Sequence, residues 1–181
     1  MRVLAFDPGA DRMGYAVLDS GPKEVVPKKG NVLGSGIVSL VKLDDETYQE
    51  HRLRIIKHWE QQTQILISYF KPDFIANEIV PPTGGTGGNI VHRQKALAAI
   101  TTVQVVAIQN QIKIEQFAAS TVKKAIGGQG KATKVAVRNG VIELLPSTER
   151  FKEQWRKVFD HSDAFAVGLT ALGYKIEKRT K

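Results

Sequence analysis

MRVLAFDPGADRMGYAVLD, residues 1–19, carries the first two strands and the acid between them around which the chain is organised. Val3, Leu4, Ala5 and Phe6 form an unbroken apolar run that reads as a buried strand, and Tyr15 to Leu18 read as a second strand after a turn over Gly9 to Gly14. Asp7 stands where the first strand ends, and a carboxylate there is costly to bury unless positive charge meets it. Two readings are open for it. Asp7-Pro8-Gly9 is a good turn sequence, with the Asp accepting from backbone N–H groups; alternatively, Asp7 is a functional acid, provided that other carboxylates converge on it.

Working outward, residues 21–30 (GPKEVVPKKG) hold two prolines and three lysines and read as an exposed, extended hairpin connection. Asn31 to Lys42 read as a third strand, and three strands with no helix between them imply an antiparallel meander. Asp44 or Asp45 can cap the next segment, Glu46 to Phe70, where Leu53, Ile56, Trp59, Leu66, Ile67 and Phe70 recur near helical spacing. Lys71-Pro72-Asp73 stops that helix, and Phe74-Ile75-Ala76 is a short strand ending at Asn77-Glu78. Glu78 thus repeats the design of Asp7, an acid at the end of an apolar strand.

The loop 81–89 (PPTGGTGGN) carries four glycines and is expected to be mobile. A helix over Ile90 to Asn110 and a fifth strand, Ile112 to Glu115, complete a βαβ unit and hence a parallel pair. From Phe117 to Ile142 there is no acid, while Lys123, Lys124, Lys131, Lys134 and Arg138 all fall there. Ser120 or Thr121 can cap a short helix, GGQG breaks it, and a second helix over Lys131 to Leu145 would set Lys131, Lys134 and Arg138 on one face. That face is either a solvated basic surface or a phosphate contact; the missing acids and the glycine turn at a helix start favour phosphate. Ser147 to Phe159 is a polar connection anchored by Trp155 and Phe159. The last helix opens at DHSD, residues 160–163, and is apolar all round to Tyr174, so it is expected to be buried. Residues 176–181 read as a basic tail after a single domain over 1–175.

Composition bounds the class. The chain has 181 residues, 42% of them apolar and 24% charged, as in an ordinary globular domain. Twenty-six Lys and Arg against 18 Asp and Glu give a net charge of +8, which favours polyanionic partners, nucleic acid first. With no Cys, thiolate metal sites and Cys catalysis are excluded. No run has signal-peptide or transmembrane character, so a soluble, cytoplasmic protein is expected.

Asp160 and Asp163, spaced i,i+3, project from one side of the last helix's first turn. Capping and the helix dipole account for Asp160. They account poorly for Asp163, which directly precedes the buried run. Four carboxylates, Asp7, Glu78, Asp160 and Asp163, then converge from two strand ends and one helix start, and would repel one another without cations. Such an oxygen set selects hard divalent ions, Mg²⁺ or Mn²⁺; two of them, about 4 Å apart, suit phosphodiester hydrolysis. His161 could take part in proton transfer or approach a metal, or equally, one residue on from Asp160, face solvent. His51 and His58, expected on the exposed side of the long helix, and His92 have weaker claims.

These residues resemble the RuvC-type Holliday junction resolvases of the RNase H-like superfamily, with the likeness covering most of the chain. FDPGADRMGYAVLD is similar to the family's opening strand, turn and strand with its first catalytic Asp, and IANEIV to its second acidic strand. STVKKAIGGQGKATKVAV resembles its basic segment, in which Lys123 and Lys134 match lysines that contact DNA phosphate, and DHSDAFAVGLTAL its closing helix. The resemblance implies an α/β, RNase H-like fold: a five-stranded mixed sheet, three antiparallel strands and then parallel ones, flanked by helices. It also implies a Mg²⁺-dependent homodimer that nicks four-way DNA junctions symmetrically, leaving 5′-phosphate and 3′-hydroxyl ends, with the two long helices as dimer surfaces. Val80-Pro81-Pro82 and the glycine-rich loop stand where the family places an aromatic wedge, with His92 and Arg93 beyond as DNA contacts. This departure bears on how the junction centre is opened and on any sequence preference of cleavage. The connection 21–30 and the stretch Ser147 to Phe159, longer than is usual in the family, are read as signs of a divergent, phage-encoded form acting in a bacterial host, with wider branched-DNA specificity. The opening is shared with RNA-processing relatives, so RNA cleavage, or binding without chemistry, stands as the alternative.

Overall fold

The structure, a computed structural model, describes residues 1–7, 9, 11–20, 31–80 and 90–176. The expected connection 21–30, the glycine-rich loop 81–89, Pro8 and all but the first residue of the tail lie outside the described residues.

Five strands, β1 (Arg2–Asp7), β2 (Arg12–Asp19), β3 (Asn31–Ser39), β4 (Phe74–Glu78) and β5 (Lys113–Phe117), form one sheet in the order β3-β2-β1-β4-β5. The pairs β1/β2 and β2/β3 are antiparallel, and β1/β4 and β4/β5 are parallel. This is the mixed sheet expected from the order of motifs. Helices cover both faces, which is why β1 is a continuous apolar run rather than an alternating one.

Alternation along the strands decides which helices each side chain meets. Leu4, Phe6, Val17 and Ile75 pack against α1 (Tyr48–Phe70) and α2 (Ile90–Gln109). Val3, Ala5, Ala16, Leu18, Phe74 and Ala76 pack on the opposite side, against α3 (Ala119–Gly127), α4 (Lys134–Leu144) and α6 (Asp160–Ala171). Between α4 and α6 the polar connection is not irregular chain but a 3₁₀ turn, Pro146–Phe151, and a short helix, α5 (Lys152–Lys157). Trp155 anchors this part with no exposed surface, as expected, while Phe159 is only half-buried.

Several boundaries differ from expectation for local reasons. The cap of α1 is Thr47, not Asp44 or Asp45: its side chain accepts from the Glu50 N–H, and the Glu50 carboxylate accepts from the Thr47 N–H at 2.9 Å, a reciprocal capping box. The buried stripe of α1 is also rotated. It runs His51, Ile55, Trp59, Thr63, Leu66 and Ile67, whereas Leu53 is 67% exposed. Two polar members, His51 and Thr63, hide this stripe from any count of apolar residues. His51 is therefore buried rather than exposed, and His58 is half-buried beside Trp59. Helix α3 starts at Ala119 with no side-chain cap, and α4 starts at Lys134 behind a Thr133 cap. Lys131 consequently precedes the helix, and Arg138 is turned inward at 8% exposure, so the three do not share one exposed basic face. Among the described residues no helix is long and apolar enough to cross a membrane.

Candidate active site

Asp7 and Glu78 are the last residues of adjacent parallel strands, and the alternation that sends Val3, Ala5, Phe74 and Ala76 toward α6 sends both carboxylates the same way. Helix α6 approaches that end of the sheet with its N-terminus, which brings Asp160 and Asp163 alongside. Gly14 makes the approach possible. It pairs with Asp7 across β1 and β2, and a Cβ on it would stand 1.9 Å from the Asp160 carbonyl oxygen. Arg12, two residues earlier on the same side of β2, reaches the Asp160 carboxylate at 3.5 Å.

Asp7, Glu78 and Asp163 line one cavity of about 120 Å³ together with Lys123, Lys134, Val122 and Val137. The Lys134 ammonium donates to Asp163 at 2.9 Å and lies 5.6 Å from the centre of the Phe159 ring. The electrostatics record a cluster short of positive charge. Burial, and then the charges of Asp163, Glu78 and Asp160, push the Asp7 carboxyl well above the usual carboxylate range against the pull of Lys134. Glu78 is raised by burial and by Asp163, although Lys123 and Lys134 oppose it. Asp163 is raised because burial outweighs its bond to Lys134. Lys134 is also raised: burial pulls it down, but Asp163, Asp7 and Asp160 more than compensate.

Among the described residues no three acidic or imidazole groups are drawn together as the ligand set of a single ion. The donors nonetheless fit a hard divalent cation. They are oxygens only, they include two strand-end carboxylates and one at a helix start, and their raised pKa values show that added positive charge there would be favoured.

Of the remaining expected site residues, His161 does not reach the carboxylates. It is 2% exposed, its ring lies 5.0–5.6 Å from those of Phe151, Trp155 and Phe165, and neither ring nitrogen has a hydrogen-bond partner among the described residues. Burial pushes it down to about 4. One step along a helix from Asp160 turns a side chain by about 100°, here from the sheet end into the core. Lys124 is exposed and lines a separate groove with Ser120, Thr121 and Lys175. Lys131 is exposed, Arg138 is buried, and on the first turn of α2 His92 is exposed and Arg93 half-buried. Arg12 and Gly14 join the site without having been expected there. Their spacing of two from Ala16 and Leu18 is the signal that could mark them, and it is hidden because Gly9 to Gly14 read as a turn.

Residues 3–171 match the family described as crossover junction endodeoxyribonuclease RuvC. A protein of that description from Prochlorococcus marinus (strain MIT 9312) is 27% identical over 95% of this chain and 96% of its own length. Another, from Yersinia pestis (strain Pestoides F), is 31% identical over 93% of this chain and 84% of its own. The structure of Thermus thermophilus RuvC in complex with a Holliday junction substrate is 24% identical and superposes with a TM-score of 0.70 over 94% of this chain and 92% of that one, a likeness of fold. With its five-stranded mixed sheet and the acids at its strand ends, the chain belongs to the RuvC family of crossover junction endodeoxyribonucleases.

Proposed function

We propose that this protein is a divalent-metal-dependent endonuclease that resolves four-way DNA junctions by paired, symmetric nicks. The observation that carries the reading is the shared cavity of Asp7, Glu78, Asp163, Lys123 and Lys134. Asp7, Glu78, Asp160 and Asp163 would hold Mg²⁺, with Mn²⁺ able to substitute, as two ions. When bound, such ions supply Lewis-acid stabilisation of the charge that develops on the phosphate and on the leaving oxygen, and make water a competent nucleophile at neutral pH.

The chain's own part is to orient the substrate. Lys123 and Lys134 meet the scissile phosphate, and the strand ends hold Asp7 and Glu78 at fixed separation. Water adds to phosphorus as the bond to the 3′ oxygen breaks, leaving a 5′-phosphate and a 3′-hydroxyl. Lys124, Lys131, His92 and Arg93 would track the backbone of the junction arms, where charge contributes affinity without reading sequence. Arg138 is better assigned to the core.

Symmetric nicking needs two sites, and the outer face of α1 and α2 is the proposed dimer surface. Leu53, Val105 and Ile108 are 67%, 46% and 68% exposed there, beside a groove of about 490 Å³ lined by Ile56, Leu97 and Val106. Residues 1–175 act as one nuclease domain with a short basic tail. The long connections, residues 21–30 and Ser147 to Phe159, support a divergent, phage-encoded enzyme that works in the cytoplasm of a bacterial host and also cuts other branched DNA. The test is cleavage of a synthetic four-way junction and of a linear duplex with and without Mg²⁺. Mg²⁺-dependent paired nicks in the junction alone, or in branched DNA generally, are expected; failure to cut any branched DNA, or equal cutting of the duplex, defeats the reading.

A further inference from the structure

The acids at the sheet end are only as well placed as the start of β2, and that start is held from the other side of the sheet. Asp11 precedes β2 and faces α1 and α2. Its Oδ1 receives the His51 Nε2 at 2.7 Å and the Lys95 Nζ at 3.0 Å, and its backbone oxygen accepts from the Leu40 N–H at 2.9 Å. His51 has no exposed surface, and its Nδ1 lies 2.9 Å from Glu46 Oε2. Glu46 is in turn gripped by Arg54, whose Nη2 also donates to the Val41 carbonyl at 2.7 Å. Lys95 is 8% exposed.

Burial pushes the Asp11 carboxyl up, but the hydrogen bonds from His51 and Lys95 outweigh it and hold Asp11 below the usual range. Two helices distant in sequence, α1 and α2, therefore converge on one carboxylate. His51 and Lys95 are buried, while the Asp11 side chain that they share is 36% exposed at the rim. Charged side chains are rarely buried unless they are paired, and hydrogen bonds from two buried donors make the segment that they hold rigid.

The residues just after Asp11 give this network its consequence. Arg12 turns to the opposite side and reaches Asp160, and Gly14 pairs with Asp7 while lying under the first turn of α6. We propose that His51 and Lys95 are positioning residues for the reaction: by fixing Asp11 they fix the segment Asp11 to Gly14, on which Asp7, Asp160 and Asp163 are assembled. Lys95 lies one turn beyond His92 and Arg93, so it also ties the start of α2 to the same segment. This inference rests on reading those acids as the catalytic set.

The test uses the full chain and a synthetic four-way junction with Mg²⁺, measuring single-turnover cleavage at saturating protein, junction Kd and amide hydrogen exchange over residues 11–14. His51→Phe and Lys95→Met are each expected to slow cleavage roughly 10- to 100-fold, with Kd within about threefold of wild type and faster exchange over 11–14. Lys95→Arg is expected to recover most of the rate. Because both residues act through Asp11, His51→Phe added to Asp11→Ala should change the rate by less than about twofold. Folded variants that cut at the wild-type rate, unchanged exchange over 11–14, or an additive loss in the Asp11→Ala background would each overturn the proposal. If His51→Phe does not fold, Lys95→Met carries the same test. If wild type itself does not cut, the reading of the acids falls, while the exchange measurement still decides whether His51 and Lys95 hold this segment.

Discussion

Replacing Gly14 with Ala puts a single methyl group where the structure leaves no room for one. The added Cβ would lie 1.9 Å from the carbonyl oxygen of Asp160, 2.4 Å from its carbonyl carbon and 3.0 Å from the His161 nitrogen, whereas ordinary contact begins at 3.4 Å. These are backbone atoms of a helix start and cannot swing aside as a side chain tip would. The first turn of α6 and β2 must therefore part by about 1.5 Å, the difference between 1.9 and 3.4 Å. Asp160 and Asp163 ride on that turn, and Asp7 is paired with Gly14 itself, so the displacement goes directly into the separation of the acids. A misplacement of about 1 Å in an active site costs roughly 100-fold in rate, and the steric strain costs about 1–3 kcal/mol of stability. The assay is single-turnover junction cleavage at saturating protein, with circular dichroism to establish the fold. A loss of about two orders of magnitude in a folded, somewhat less stable protein is expected. A folded Gly14→Ala variant that cuts at close to the wild-type rate would refute the placement of α6 as the element that completes the site.

Lys134→Ala should weaken junction binding and lower the salt dependence of the association constant by about one unit of log–log slope, whereas Arg138→Ala, a change at a buried residue, should lower the thermal midpoint and leave the salt slope unaltered; a salt titration with a thermal melt separates them. His161→Phe should retain cleavage, because His161 sits among Phe151, Trp155 and Phe165 and away from the cavity; a large loss of rate in the folded variant would return it to the chemistry. His161 also carries a pH signature. Its folded pKa of about 4 lies below the unfolded value, so the unfolded chain binds the proton more tightly and stability rises with pH from about 4 to about 6.5; that part of the acid destabilisation should be missing from melts of His161→Phe. Leu53→Glu, on the exposed apolar face of α1, should shift a dimer toward monomer in sedimentation and uncouple the two nicks, and an unchanged dimer would remove that face from the interface.

The part of the site built on strands is legible in the sequence because strand geometry is local. An apolar run ending in an acid, met twice, places two carboxylates at one edge of a sheet once the strands are known to be parallel neighbours. Asp163 is legible for a related reason, since an acid directly before a buried helical run has to point somewhere. Side chains whose surroundings come from far along the chain are not. His51 reads as a surface residue because its partner Asp11 lies 40 residues away, and Lys95, which shares that carboxylate, lies 84 residues from Asp11; no periodicity records such pairing. Arg138 reads as part of a basic surface only if α4 begins at Lys131, three residues before its actual start at Lys134, which would carry Lys131 onto the same helix face. Two aspartates near the start of α1 obscure its cap, although Thr47 with Glu50 is the better reciprocal pair.

Whether Asp7 belongs to a metal-binding catalytic set, rather than being simply a turn residue, decides the function. The most direct measurement is cleavage and binding of one synthetic four-way junction by wild type and Asp7→Asn in Mg²⁺, with the cut positions mapped on all four strands. Wild type is expected to give symmetric nicks bearing 5′-phosphates, and Asp7→Asn to bind the junction with undiminished affinity and cut none of its strands. Residual symmetric cutting by a folded Asp7→Asn protein at anything near the wild-type rate would contradict the catalytic assignment.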